Sequence, residues 1–118
     1  MVTIEQLADA ALKGDTLLLR SLTQDLLRER PQLGNYPRPQ TDDPRLLAAA
    51  ASLIELFALR LHQPAPSWTK EVGALPEPIF LVKAAATMKR LRVLCETQAP
   101  EPLRKRGFYA PPNFLEFA

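Results

Sequence analysis

The segment DPRLLAAAASLIELFALRLH, residues 43–62, decides the fold. Asp43 offers an N-cap oxygen, and Pro44 falls at the first helical position, where its missing amide hydrogen has no partner to lose. A helix is therefore predicted from Pro44 to His62. Leu46, Leu47, Ala50, Leu53, Ile54, Phe57 and Leu61 recur on one stripe at helical spacing. Leu56, Ala58 and Leu59 widen the stripe until only Arg45, Ser52, Glu55 and Arg60 remain polar. A helix that is apolar around so much of its circumference belongs at the centre of a helical fold. Pro64 and Pro66 stop it.

Working outward, the 12 prolines fall in clusters and leave helical stretches between them. Thr3 and Gln6 have capping-box spacing, and the helix they open ends near Gly14 with Leu7, Ala11 and Leu12 on its inner face. Asp15 caps the next helix, which is expected to bury Leu18, Leu19, Leu22 and Leu26 and to turn Arg20, Gln24, Arg28 and Glu29 toward water. Residues 31–43 hold three prolines, Gly34 and Asn35. They make an irregular connection about twice the usual length, either mobile or a binding loop.

Downstream, Ser67 is placed to cap a short turn containing Trp68. The Leu75–Leu81 stretch carries two prolines, which bars a regular helix or a central strand and predicts an extended wrap across the core. Trp68, Ile79, Phe80 and Leu81 are its expected anchors, and truncating a buried Trp68 would cost roughly 3–5 kcal/mol. A helix is predicted over residues 83–98 with Ala84, Met88, Leu91 and Cys95 on its buried stripe. The tail, residues 100–118, joins Arg104, Lys105, Arg106 and Gly107 to Phe108, Tyr109, Phe114, Leu115 and Phe117. So many aromatics seldom stay solvated, so the tail either folds back on the core, docks on a protein partner or closes a homodimer. The predicted architecture is all-α: one small helical domain over residues 1–118, with about five helices, a proline-rich irregular wrap and an aromatic tail.

Composition removes most enzyme chemistries. The chain has one cysteine, Cys95, and one histidine, His62. A thiolate–imidazole pair would still lack an orienting group and oxyanion donors, and Cys95 falls on an apolar stripe. Zinc wants three or four nitrogen or sulfur ligands. Asp42 and Asp43 suit helix capping better than a hard-cation site, which needs about six oxygens. The expectation is a protein that is not an enzyme, with no catalytic residue, no cofactor and no metal. The first residues carry acids where a signal peptide would carry basic residues, and the longest apolar run, Leu46–Ala51, is far short of the ~20 residues of a membrane span. A cytoplasmic location with no membrane partner follows as an expectation.

Net charge is only +2, so electrostatic arguments must be local. Between Lys83 and Arg106 there are seven basic residues against Glu96 and Glu101. The candidate binding residues are Lys89, Arg90, Arg92, Arg104, Lys105, Arg106, Phe108 and Tyr109. Three readings stay open: an acidic protein partner, nucleic acid held through its phosphates, or a merely solvated face. No helix-turn-helix or RNA-reading motif accompanies the cations. A small-molecule site under Trp68 would have no convergent polar groups.

Taken in order, the apolar helix Leu46–Leu61, the turn Pro64-Ala65-Pro66-Ser67-Trp68, the segment Leu75-Pro76-Glu77-Pro78-Ile79-Phe80 and the tail from Ala99 to Tyr109 resemble a largely uncharacterised bacterial domain family found in toxin-antitoxin-like operons. The resemblance covers about residues 44–118, and Trp68, Phe80, Arg104, Arg106 and Gly107 are the positions that match its pattern. It implies a non-enzymatic protein-interaction module, antitoxin-like or an operon accessory protein, and no catalytic residues.

Overall fold

Thr3 Oγ1 accepts from the Gln6 amide at 3.3 Å while Gln6 Oε1 accepts from the Thr3 amide at 2.9 Å. This capping box starts α1 (Ile4–Leu12) in the computed structural model, which describes residues 2–115. The chain turns at Gly14, whose φ of 71° is costly for any side chain. Asp15 then accepts from the Leu18 amide at 3.1 Å and opens α2 (Thr16–Glu29). Asp43 accepts from the Arg45 amide at 2.9 Å, with Pro44 in the first turn of α3 (Pro44–Leu61). His62, in the left-handed conformation, closes α3. Two further helices follow, α4 (Lys89–Gln98) and α5 (Glu101–Arg104). Among the described residues the only sheet is a parallel pair of short strands, β1 (Ile79–Phe80) and β2 (Phe108–Tyr109), with Ile79 opposite Phe108 and Phe80 opposite Tyr109. The fold is all-α with five α-helices among the described residues.

From Ala48 to Ala58, α3 is buried at every position except Glu55, which is only partly covered. It is the central helix. α1 packs against α2 and α3, and α5 packs on α3. Leu7, Leu19, Leu26, Leu33, Leu81, Leu103 and Phe108 close the core around α3. The radius of gyration is 13.1 Å, close to the value for a compact chain of this length.

Several expected placements change. The inner stripe of α2 is Leu19, Thr23 and Leu26, and Leu18 is exposed. Thr23 can take an interior position because its hydroxyl donates to the Leu19 carbonyl at 2.7 Å, which leaves no bare polar atom. Leu59 and Leu61 are exposed, because the last turn of α3 runs past the core. Ser67 makes no side-chain cap; in the 3-10 turn Ser67–Glu71 it is Thr69 that donates to Pro66, at 2.8 Å. The single helix expected over residues 83–98 is broken into a 3-10 turn, Lys83–Ala86, and α4. Thr87 ends the turn by donating its amide to Ala84 at 3.1 Å, and Met88 is extended. The break rotates Ala84 and Met88 to the surface and leaves Cys95 as the one buried residue of α4.

The first half of the 31–43 connection is tied down by its own buried side chains and by Gln63 and Trp68. Leu33 and Tyr36 are buried. The Tyr36 hydroxyl donates to the Arg30 carbonyl at 2.6 Å, and Trp68 Nε1 donates to the Tyr36 carbonyl at 2.8 Å. Trp68 is thereby half-buried, so truncating it removes less area than full burial would imply. Gln63 works as a clamp: its Oε1 accepts from the Leu33 amide at 3.0 Å and its Nε2 donates to the Pro31 carbonyl at 2.9 Å. Gln63→Ala should therefore cost about 1–3 kcal/mol, because the part-buried Leu33 amide loses its partner. Urea denaturation reads that cost, and amide exchange at Leu33 should accelerate with it; unchanged exchange would show that the loop is held elsewhere.

The tail folds back on its own chain. Phe108, Ala110, Phe114 and Leu115 are buried, and the Arg60 guanidinium donates to the carbonyls of Phe114 and Pro112. Phe117 lies outside the described residues. Gly107, with φ of 90°, makes the turn that aims β2 along β1. The Ile79 amide donates to Gly107 at 2.8 Å and the Leu81 amide to Tyr109 at 2.9 Å. Among the described residues no helix is long and apolar enough to cross a membrane.

Candidate interaction surface

The eight candidate binding residues fall into three groups of different character. The first is interior. Arg106 is only 3% exposed, and Phe108 is fully buried in the core. The Arg106 guanidinium is held in a cage: Nε donates to the Val72 carbonyl at 3.2 Å, Nη2 to Thr69 at 2.7 Å, and Nη1 to the Glu55 carboxylate and, at 3.5 Å, to Pro102. Lys105 approaches the same Glu55 oxygen at 2.8 Å from the solvent side. Burial pushes the Glu55 carboxyl up, but the hydrogen bonds from Arg106 and Lys105 and the charge of Arg106 outweigh it and hold the carboxyl below its ordinary value. Arg106 and Phe108 are thus interior, and neither side chain is presented to solvent.

A second group sits on the strand pair. Phe80 and Tyr109, neighbours across the sheet, stack with ring centroids 5.6 Å apart at 33°. Arg92 lies over the Phe80 ring at 5.2 Å and pairs with Glu96 at 3.1 Å. The guanidinium covers a ring face on which a nucleobase would have to stack. The Arg92 charge is also compensated by Glu96.

The third group is free surface. Lys89, Arg90 and Arg104 are exposed, and none forms an ion pair among the described residues. Lys89 and Arg90 lie in the first turn of α4, where no acidic residue and no side-chain cap balances them. Met88 and Val93, both 56% exposed, flank them with apolar surface. No family model, curated protein or solved structure matches this chain.

Cys95 is buried on α4, where burial first and then the charge of Glu96 push its thiol up, against thiolate chemistry. His62 is exposed at the end of α3. Among the described residues no three His, Cys, Asp or Glu side chains gather into a metal-binding group. Asp43 is spent on capping α3.

The residue that sequence reasoning missed is Glu55. A lone carboxylate amid the apolar positions of α3 was the available signal, since a charge there must find a partner. Which of the distant cations supplied it depended on how the tail folds back.

Proposed function

We propose that this chain is a non-enzymatic interaction domain that captures an acidic protein through the outer surface of α4. The supporting observation is the pair of exposed, uncompensated cations Lys89 and Arg90 between the exposed side chains of Met88 and Val93. Apolar surface flanked by charge of one sign suits a partner segment that carries both acids and apolar side chains. Arg104, exposed on α5, is a further cation that forms no ion pair among the described residues. The bacterial toxin-antitoxin setting implied by the resemblance belongs to the same proposal, with the chain as an antitoxin-like or accessory partner.

Lys89→Glu together with Arg90→Glu tests it. Both side chains are exposed, so the fold should keep its melting temperature. Capture of a stoichiometric, nuclease-resistant protein from the native host should weaken by at least about tenfold. Nuclease-sensitive capture with a steep loss of affinity on adding salt would assign the same cations to phosphates instead. Unchanged capture by the double variant would remove α4 as the interface.

A further inference from the structure

Only Cys95 of the ten residues of α4 is buried. No residue of α4 or of the 3-10 turn Lys83–Ala86 belongs to the core cluster that unites α1, α2, α3, α5 and β2. The contacts of α4 run mainly to that preceding turn. Besides that turn, Arg92 lies over Phe80, the Lys83 stem lies against Gly14, and the arm buries two small side chains, Ala85 and Cys95, with Leu91 and Leu94 half-buried. The start of the helix is also poorly secured. Met88, at the N-cap, supplies no side-chain hydrogen bond, and Lys89 and Arg90 put positive charge at the positive end of the helix dipole.

The chain on either side is firmly held. β1 and β2 are hydrogen-bonded to each other directly, and Arg106 is sealed in its cage. Segments with few buried contacts, bounded by well-packed neighbours, open at much lower free energy than the whole fold. We propose that residues 83–98 form an arm that swings off the body as a unit, while the strand pair and the helical core stay folded. This opening requires no partner, and it would stand even if α4 bound nothing.

Cys95 is the only thiol in the chain and faces inward from α4, so it reports the opening directly. Labelling by a chromogenic disulfide reagent is followed at increasing urea and compared with global unfolding read by circular dichroism. The expected labelling rate in water is on the order of a hundredfold faster than global unfolding would allow, and it is nearly flat at low urea. Met88→Asp supplies the missing cap at an exposed, extended position; it should slow labelling about fivefold and leave the global midpoint in place. Labelling that follows the global transition with the same urea dependence would overturn the proposal. So would a Met88→Asp variant that shifts labelling and global unfolding together, because the arm would then be part of one cooperative unit.

Discussion

Glu55→Ala should destabilise the fold by about 3–5 kcal/mol, although the side chain it removes is a single carboxylate on the edge of the central helix. The cost comes from what remains. Arg106 would keep its three backbone carbonyl partners but lose its counter-charge while only 3% exposed. Lys105, half in solvent, can turn to water when Glu55 is gone, whereas Arg106 cannot. Urea unfolding of Glu55→Ala, Arg106→Ala and the double variant gives the coupling: the double should cost at least about 1 kcal/mol less than the two singles together. Strict additivity would show that the ion pair contributes nothing beyond its separate parts.

Acid should act through the same pair. The carboxyl of Glu55 is held below its ordinary value of 4.5 in the folded chain. Its contribution is therefore complete above about pH 4.5 and is lost as pH falls below that, through the folded value. Glu55→Gln has nothing to titrate there, so its stability should fall less between pH 5 and pH 3 than that of the parent. Parallel acid limbs for the two proteins would place the loss on other carboxylates.

Phe108→Ala is the second large effect, again about 3–5 kcal/mol. The ring is fully buried in the core cluster, while its backbone pairs with Ile79. Its removal leaves a cavity between the strand pair and the central helices, and the hydrogen bonds of the sheet cannot draw the walls together. The midpoint of urea unfolding should fall with the slope unchanged. A loss under 1 kcal/mol would mean that the neighbouring side chains collapse into the space. Because Phe108 is interior, this variant should lose partner capture only in proportion to its unfolded fraction.

The parts of the fold that were legible in the sequence are those set by local chemistry. Caps at Thr3, Asp15 and Asp43 lie within three residues of the amides they satisfy, and the apolar circumference of α3 is written in consecutive residues. What was not legible depends on distant pairing. The strands Ile79–Phe80 and Phe108–Tyr109 are two residues each and exist because they meet. Tyr36 looks like one polar aromatic in a proline-rich loop until the carbonyl of Arg30 and the indole of Trp68 reach it. The break at Thr87 escapes a periodicity count because the same residues fit a continuous helix. Of the candidate surface, Lys89, Arg90 and Arg104 are exposed, while Arg106 and Phe108 are not; side-chain type alone could not separate Arg104 from Arg106.

The cage around Arg106 also bears on time. Its walls are Glu55, Thr69, Val72 and Pro102, drawn from the central helix, the 3-10 turn Ser67–Glu71, the residue that follows it and the last helix. Stripping water from a guanidinium is costly until replacement partners are in place, so the cage is expected to close after the segments around it have assembled. Contacts formed that late are absent from the folding transition state, and their strength falls on the rate of escape rather than the rate of assembly. The buried arginine is thus expected to act as a latch on the lifetime of the folded chain: Arg106→Ala should raise the unfolding rate far more than it slows folding, as a urea chevron would read.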